Sequence, residues 1–361
     1  MYPCHELTEP RFPLTPPEAR PFAAAKLPNG EAPYSPQVIY DAYALRNDPN
    51  AGKGLTIATV VAFSNEGLQS DFDAFNRRFD LPSGQIDILY LSDSRHYVSG
   101  WATEAASDTQ WAHAAAPAAR ILCVFTPNAQ IPTLFEGVMA AVEQGADIVS
   151  MSWGAVEFSG QNTYSEQLKQ TGRIFVASAG DSGGTVLFPS SSDAVISVGG
   201  TTLYRGRSGE VFARSAWQYG GGGPSKYTGI PDWQSRFAGI ADKSGAYRAT
   251  PDVALDAGIK PGYAVCNRAE GGLLSIGGTS LSAPVFAGIC ARILQKDPER
   301  YRGDALIQHL YTLAGGTSYH EPQYYFHDIT VGSNGRFDAE KGFDLCTGLG
   351  SPIGETILRN S

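Results

Sequence analysis

No stretch of this chain comes near the ~20 consecutive apolar residues needed to cross a bilayer, which excludes a membrane-spanning helix. Met1 to Phe22 is rich in proline and has no apolar h-region, so no signal peptide is read there. Charge is scarce: Asp, Glu, Lys and Arg make up 17% of the 361 residues, below the usual quarter or so. What charge there is runs acidic, 36 against 27 for a net −9, which argues against a nucleic-acid binder that tracks phosphates. Cysteine is sparse and odd in number. Cys4, Cys123, Cys266, Cys290 and Cys346 share no CxxC or CxxH spacing, which points away from zinc and toward core thiols with at most one or two bridges. No internal repeat stands out.

Glycine is abundant, at 41 residues, which suggests many tight turns rather than disorder. Residues 1–36 carry nine prolines and read as an arm laid over the domain. From residue 37 to 361 the chain reads as one unit. Leu55–Ala62 is a continuous apolar run of the kind found in strands buried on both faces, and similar runs recur at Arg120–Phe125, Asp147–Ser152, Arg173–Ser178 and Val195–Val198. Between them lie helical patterns over Phe72–Phe79, Thr103–Ala116, Pro132–Gln144 and Tyr164–Thr171. This alternation predicts an α/β fold with a doubly wound, mostly parallel central sheet and helices on both faces. Sites on such sheets lie beyond the carboxyl ends of the strands.

The sharpest local signal is GGTSLSAPVFAG at 277–288. Pro284 reads as the opening of a helix, which puts Ser280 at a helix N-terminus, as an N-capping serine or as a nucleophile favoured by free N–H groups. A nucleophile needs a base. None of the six histidines (5, 96, 113, 309, 320, 327) opens a helix in an HGT-type setting, and His113, inside an alanine-rich run, reads as a packed or surface residue. Glu104 and Asp108 are four apart and share a helix face. They are either a solvated acidic face or a buried pair that shares one proton and supplies a base in acid. Asp181, in VASAGDSGG, is a turn former or, if protonated, an oxyanion stabiliser. Gly220–Gly223 is a loop or a backbone edge that touches a substrate. Asp328 and Asp344 bracket a glycine-rich turn that is either solvated or suited to a hard cation.

Taken in order, these segments resemble the sedolisin family of serine-carboxyl peptidases, which have a subtilisin-like fold. The resemblance runs through YSPQVIYDAY (34–43), GKGLTIATV (52–60), TEAASDTQWAHAAAPAARI (103–121), MSWGAVE (151–157), ASAGDSGG (177–184), FPSSSDAVISVGGT (188–201), GGGGPS (220–225), PDVA (251–254), GGTSLSAP (277–284) and 326–352. It implies Ser280 as nucleophile, Glu104 as general base, Asp108 as the carboxylate that orients the base, and Asp181 as the oxyanion-hole residue. The implied activity is endopeptidase cleavage through an acyl-enzyme, in acid, on peptides held in extended conformation. Gly220–Gly223 and the segment after Trp153 would hold the substrate backbone, with Trp153 as a wall of the site. The resemblance also implies one structural calcium ion in a loop at about 326–348, held by Asp328, Asp344 and the carbonyls of Ile329, Glu340 and Gly342. A monomer is expected.

Three departures accompany it. Glu340 stands where the family usually has glycine. Val61 stands where some members carry a further glutamate. The family's long N-terminal prodomain has no counterpart here, which leaves two expectations: a secreted mature form, or a cytoplasmic member without that segment. The alternatives are a non-catalytic peptide-binding module on the same fold and a histidine-triad subtilisin. The second is weakened because no histidine takes the base position.

Overall fold

The computed structural model describes residues 32–84, 86–206, 209–315 and 325–361. The proline-rich arm at 1–36 therefore falls, for residues 1–31, outside the described residues, as do Cys4, His5 and His320. Each expected apolar run forms a strand. The sheet comprises β1 (Thr56–Ala62), β2 (Ile86–Tyr90), β3 (Arg120–Thr126), β4 (Ile148–Met151), β5 (Ile174–Ser178), β6 (Ile196–Arg205), β7 (Val211–Ala216) and β8 (Val253–Asp256). Spatial order is β8-β6-β5-β4-β1-β3-β2, all parallel, with β7 antiparallel along the second half of β6. β2, β7 and β8 were not foreseen: they are short, and β2 and β7 carry exposed or charged residues that break the apolar run.

Five helices frame the sheet: α1 (Leu68–Arg78), α2 (Ser99–Ala115), α3 (Ile131–Glu143), α4 (Asn162–Gln170) and α5 (Thr279–Leu294). α2 and α5 are alanine-rich and buried nearly all round, with fifteen of seventeen and sixteen of sixteen residues covered. Such helices belong inside a domain. They approach closely because Gly288 has no side chain; a Cβ there would lie 2.3 Å from that of Ala115. α5 starts at Thr279, five residues before the expected opening at Pro284, and the proline sits inside it. Its missing N–H would have bonded the carbonyl four residues back, that of Ser280.

The faces are assigned by neighbouring residues of β1, which point to opposite sides of the sheet. Thr59 donates to Asp108 of α2. Val60 lies against Gly137 of α3, where a Cβ would come within 2.7 Å of it. α1 shares the α2 layer through Phe72–His113 and Phe75–Trp111, and α4 shares the α3 layer through Phe135–Tyr164. The step from β1 to β2 runs one way along the sheet; the steps into β3, β4 and β5 run the other way. The β2–α2–β3 crossover therefore has the opposite hand to those through α1, α3 and α4. Right-handed crossovers are the strong rule, so α2 is the exception, and this places it beside α5.

All four described cysteines are free and buried, so no bridge forms among the described residues. No described helix is long and apolar enough to cross a membrane.

Candidate active site

The strand order reverses between β1 and β4, the place where ligands bind on open α/β sheets. Asp108 is anchored there. It is fully buried. The Thr59 hydroxyl of β1 donates to its Oδ2, the Ser152 hydroxyl just after β4 donates to its Oδ1 at 2.6 Å, and Glu104 shares a hydrogen bond with it. Burial pushes its carboxyl up to about 7 despite those three bonds, which act in the other direction. Below about 7 Asp108 therefore favours its protonated form, next to Glu104 on the same helix face, which is 3% exposed.

Ser280 lies in the first turn of α5 and is buried, with its hydroxyl 3.3 Å from the Ser152 carbonyl. The Ser152 hydroxyl in turn lies 3.3 Å from the Ser280 carbonyl, the group that Pro284 leaves open. Asp181 follows β5. Its Oδ1 accepts from the Thr279 N–H at 2.9 Å and the Thr279 hydroxyl at 2.8 Å, at the start of the same helix. Desolvation pushes Asp181 up to about 7 as well. A carboxylic acid that keeps its proton in this range can donate a hydrogen bond.

The four expected chemical positions thus fall on three elements that meet at one end of the sheet. Ser152, Thr59 and Thr279, which hold them, were missed. They are ordinary hydroxyls with no spacing signal, although Ser152 stands just beyond a strand end, where such sheets place function. Of the packed and surface readings of His113, the structure shows the packed one: it is buried, its ring nitrogen 3.0 Å from the Pro82 carbonyl.

Two expectations are corrected. Trp153 is not a wall of the site: it is fully buried, its Nε1 donates to the Val60 carbonyl at 2.9 Å, and it packs on Phe135. Gly220–Gly223 is buried against the Asp181 loop rather than offered as an edge. Gly221 N–H donates to Gly180 at 2.7 Å and Gly222 N–H to Thr185 at 3.2 Å. A Cβ on Gly221 would lie 2.0 Å from the Ala179 carbonyl, so only glycine allows this approach. Between Gly154 and Gly180, which flank the site, lies the side chain of Leu187: Cβ atoms built on those glycines would meet it at 3.2 and 2.5 Å.

Asp328 and Asp344 converge on the expected turn. Gly342 N–H donates to Asp328 at 3.0 Å and Glu340 N–H to Asp344 at 3.1 Å. Lys243 pairs with the Glu340 carboxylate, drawing that side chain outward, so only its carbonyl is left for the loop. Gly342 takes a φ of +82°, which glycine tolerates freely. Among the described residues no three His, Cys, Asp or Glu side chains cluster to hold a metal. The side-chain donors that converge here are two carboxylates, which suit a hard cation rather than a soft one.

A family model described as the Subtilase family matches residues 94–341. The chain is 35% identical to kumamolisin of Bacillus sp. (strain MN-32) over 289 residues, 70% of this chain and 49% of kumamolisin. It is 34% identical to sedolisin of Pseudomonas sp. (strain 101) over 181 residues, 46% of this chain and 29% of that protein. It therefore spans half or less of the length of these relatives. A solved structure of Pseudomonas sedolisin, complexed with two molecules of pseudo-iodotyrostatin, superposes with a TM-score of 0.80 at 24% identity, covering 92% of this chain and 98% of that one. With its parallel sheet and its serine at a helix start, the chain belongs to the subtilase family, in sedolisin-like form.

Proposed function

We propose that this chain is a serine peptidase that uses carboxyl groups in place of imidazole and cuts within extended peptides at acidic pH. One observation carries the reading: the buried Asp108, held from β1, from the end of β4 and by Glu104, is one hydroxyl away from Ser280. A buried carboxyl pair with one proton has no structural task that an apolar pair would not do at lower cost. A pair that shares a proton can supply the base a serine hydroxyl needs.

Ser280 Oγ attacks the scissile carbonyl carbon as Glu104 takes its proton. The carbonyl π pair moves onto oxygen. The resulting oxyanion accepts a hydrogen bond from protonated Asp181, helped by the free N–H groups of α5. Collapse breaks the C–N bond, and Glu104 returns the proton to the leaving amine. Water then repeats the sequence on the acyl-enzyme. Asp108 orients Glu104 throughout. The 328–344 loop would hold one calcium ion through Asp328, Asp344 and the carbonyls of Ile329, Glu340 and Gly342, and the ion would brace the fold.

The test is cleavage of a long unstructured peptide from pH 3 to 8, with products read by mass. Internal cuts with an acid optimum, abolished in Ser280→Ala, support the proposal. A neutral-to-alkaline optimum, or turnover that survives in Ser280→Ala, rejects it.

A further inference from the structure

Ser152 stands between the acid pair and the nucleophile and touches both. It is fully buried. Its hydroxyl lies 2.6 Å from Asp108 Oδ1 and 3.3 Å from the Ser280 carbonyl, while its own carbonyl lies 3.3 Å from the Ser280 hydroxyl. The Ser280 carbonyl needs such a donor. Inside an α-helix it would take the N–H of residue 284, and residue 284 is proline. A hydroxyl has one proton to give. If it goes to Asp108, the Ser280 carbonyl loses this donor; once the acid pair gains its second proton, Asp108 can donate to the Ser152 oxygen and the hydroxyl is free to turn to Ser280.

We propose that Ser152 is a positioning residue for Ser280: its hydroxyl proton is shared between Asp108 and the carbonyl that Pro284 leaves open, so the charge on the acid pair is felt at the backbone of the nucleophile. This rests on Ser280 being the nucleophile. Thr59 makes the natural comparison. It donates to the other oxygen of Asp108 from β1, on the far side from this bridge. The titratable groups facing Asp108 are Glu104 on its own helix and the Cys123 thiol of β3; α5 presents the Ser280 backbone to the bridge.

The experiment compares Ser152→Ala with Thr59→Ala by kcat and KM across pH 3 to 8. Each variant removes one donor from Asp108, so each moves the pair's titration to higher pH. Only Ser152→Ala also releases the Ser280 backbone. Its plateau kcat, at the optimum of its own profile, should fall roughly ten- to hundredfold with KM within about twofold, while Thr59→Ala keeps its plateau within about threefold. If Ser152→Ala unfolds, Ser152→Cys, similar in volume and a weak donor, should give an intermediate plateau. Equal plateaus for the Ser152 and Thr59 variants, or a Ser152→Cys enzyme at the wild-type plateau, would overturn the bridge. The failure of the wider reading looks different: it is turnover in Ser280→Ala.

Discussion

Asp181 offers the most discriminating test of the chemistry, because its hydrogen-bond directions are fixed. Thr279 N–H can only donate, and it donates to Oδ1. The Thr279 hydroxyl accepts from Gly180 N–H at 3.0 Å, so its own proton goes to the same Oδ1. The proton of the carboxyl therefore belongs on Oδ2. An asparagine at this position fits one way only, with its amide oxygen at the Oδ1 position and its NH2 where the acid's O–H was. Asp181→Asn should then act as a donor at every pH, whereas wild type donates only below about 7. Asp181→Ala removes the donor altogether, which costs about 10²–10³ in kcat. The assay is kcat/KM on an internally quenched peptide from pH 3 to 9. At pH 4, Asp181→Asn should stay within roughly tenfold of wild type and at least about tenfold above Asp181→Ala. Above about pH 7 the ratio of Asp181→Asn to wild type should rise by about tenfold per pH unit, as expected for loss of one proton. That ratio cancels any titration the two enzymes share, including that of the Glu104–Asp108 pair. A ratio that stays flat across the range, or an asparagine variant no better than alanine at pH 4, would refute the role of Asp181 as a protonated donor.

Glu104→Gln removes the base but keeps the size, and should cut kcat by several orders of magnitude with little change in KM; turnover near wild type would show the base lies elsewhere. Excess chelator should lower the melting temperature if calcium holds the 328–344 loop, and an unchanged melting curve would count against the ion. Asp252→Ala strands the buried Arg248 guanidinium, which now pairs with it at 2.5 Å, and also the Tyr311 hydroxyl and Ser197 N–H; urea unfolding should show a loss of about 3–5 kcal/mol, and a loss below about 1 would mean water reaches the site. Leu187→Ala empties the space between Gly154 and Gly180, so bulky side chains at the scissile residue should gain about tenfold in kcat/KM relative to alanine; an unchanged ratio would place the substrate side chain elsewhere.

Most of the sheet could be read from the chain because buried parallel strands are apolar without interruption, as at Thr56–Ala62. Ser280, Glu104, Asp108 and Asp181 were legible for a related reason: they are polar residues inside small, apolar or glycine-flanked surroundings, and they recur in order with a known family. What surrounds them was not. Thr59 and Ser152 look like any hydroxyl on a strand, and only the pairing of β1 with β4 brings both to Asp108. Trp153 and Gly220–Gly223 were misplaced because sequence cannot say whether a large ring or a bare backbone faces a cleft or its own core. Pro284 was taken as a helix opening by local preference; tertiary packing of α5 overrides that preference and carries the helix back to Thr279.

The hand of one connection has a bearing on whether this chemistry could be moved elsewhere. A designer who grafted the same acids and hydroxyl onto a scaffold with uniformly wound connections would find Glu104 and Ser280 separated by a full layer of strands, and no choice of rotamer would reunite them. Here the segment through Ser99–Ala115 crosses with the less common hand and so returns next to Thr279–Leu294. The proposed reaction is thus tied to a feature of the chain path that no point substitution can create or repair.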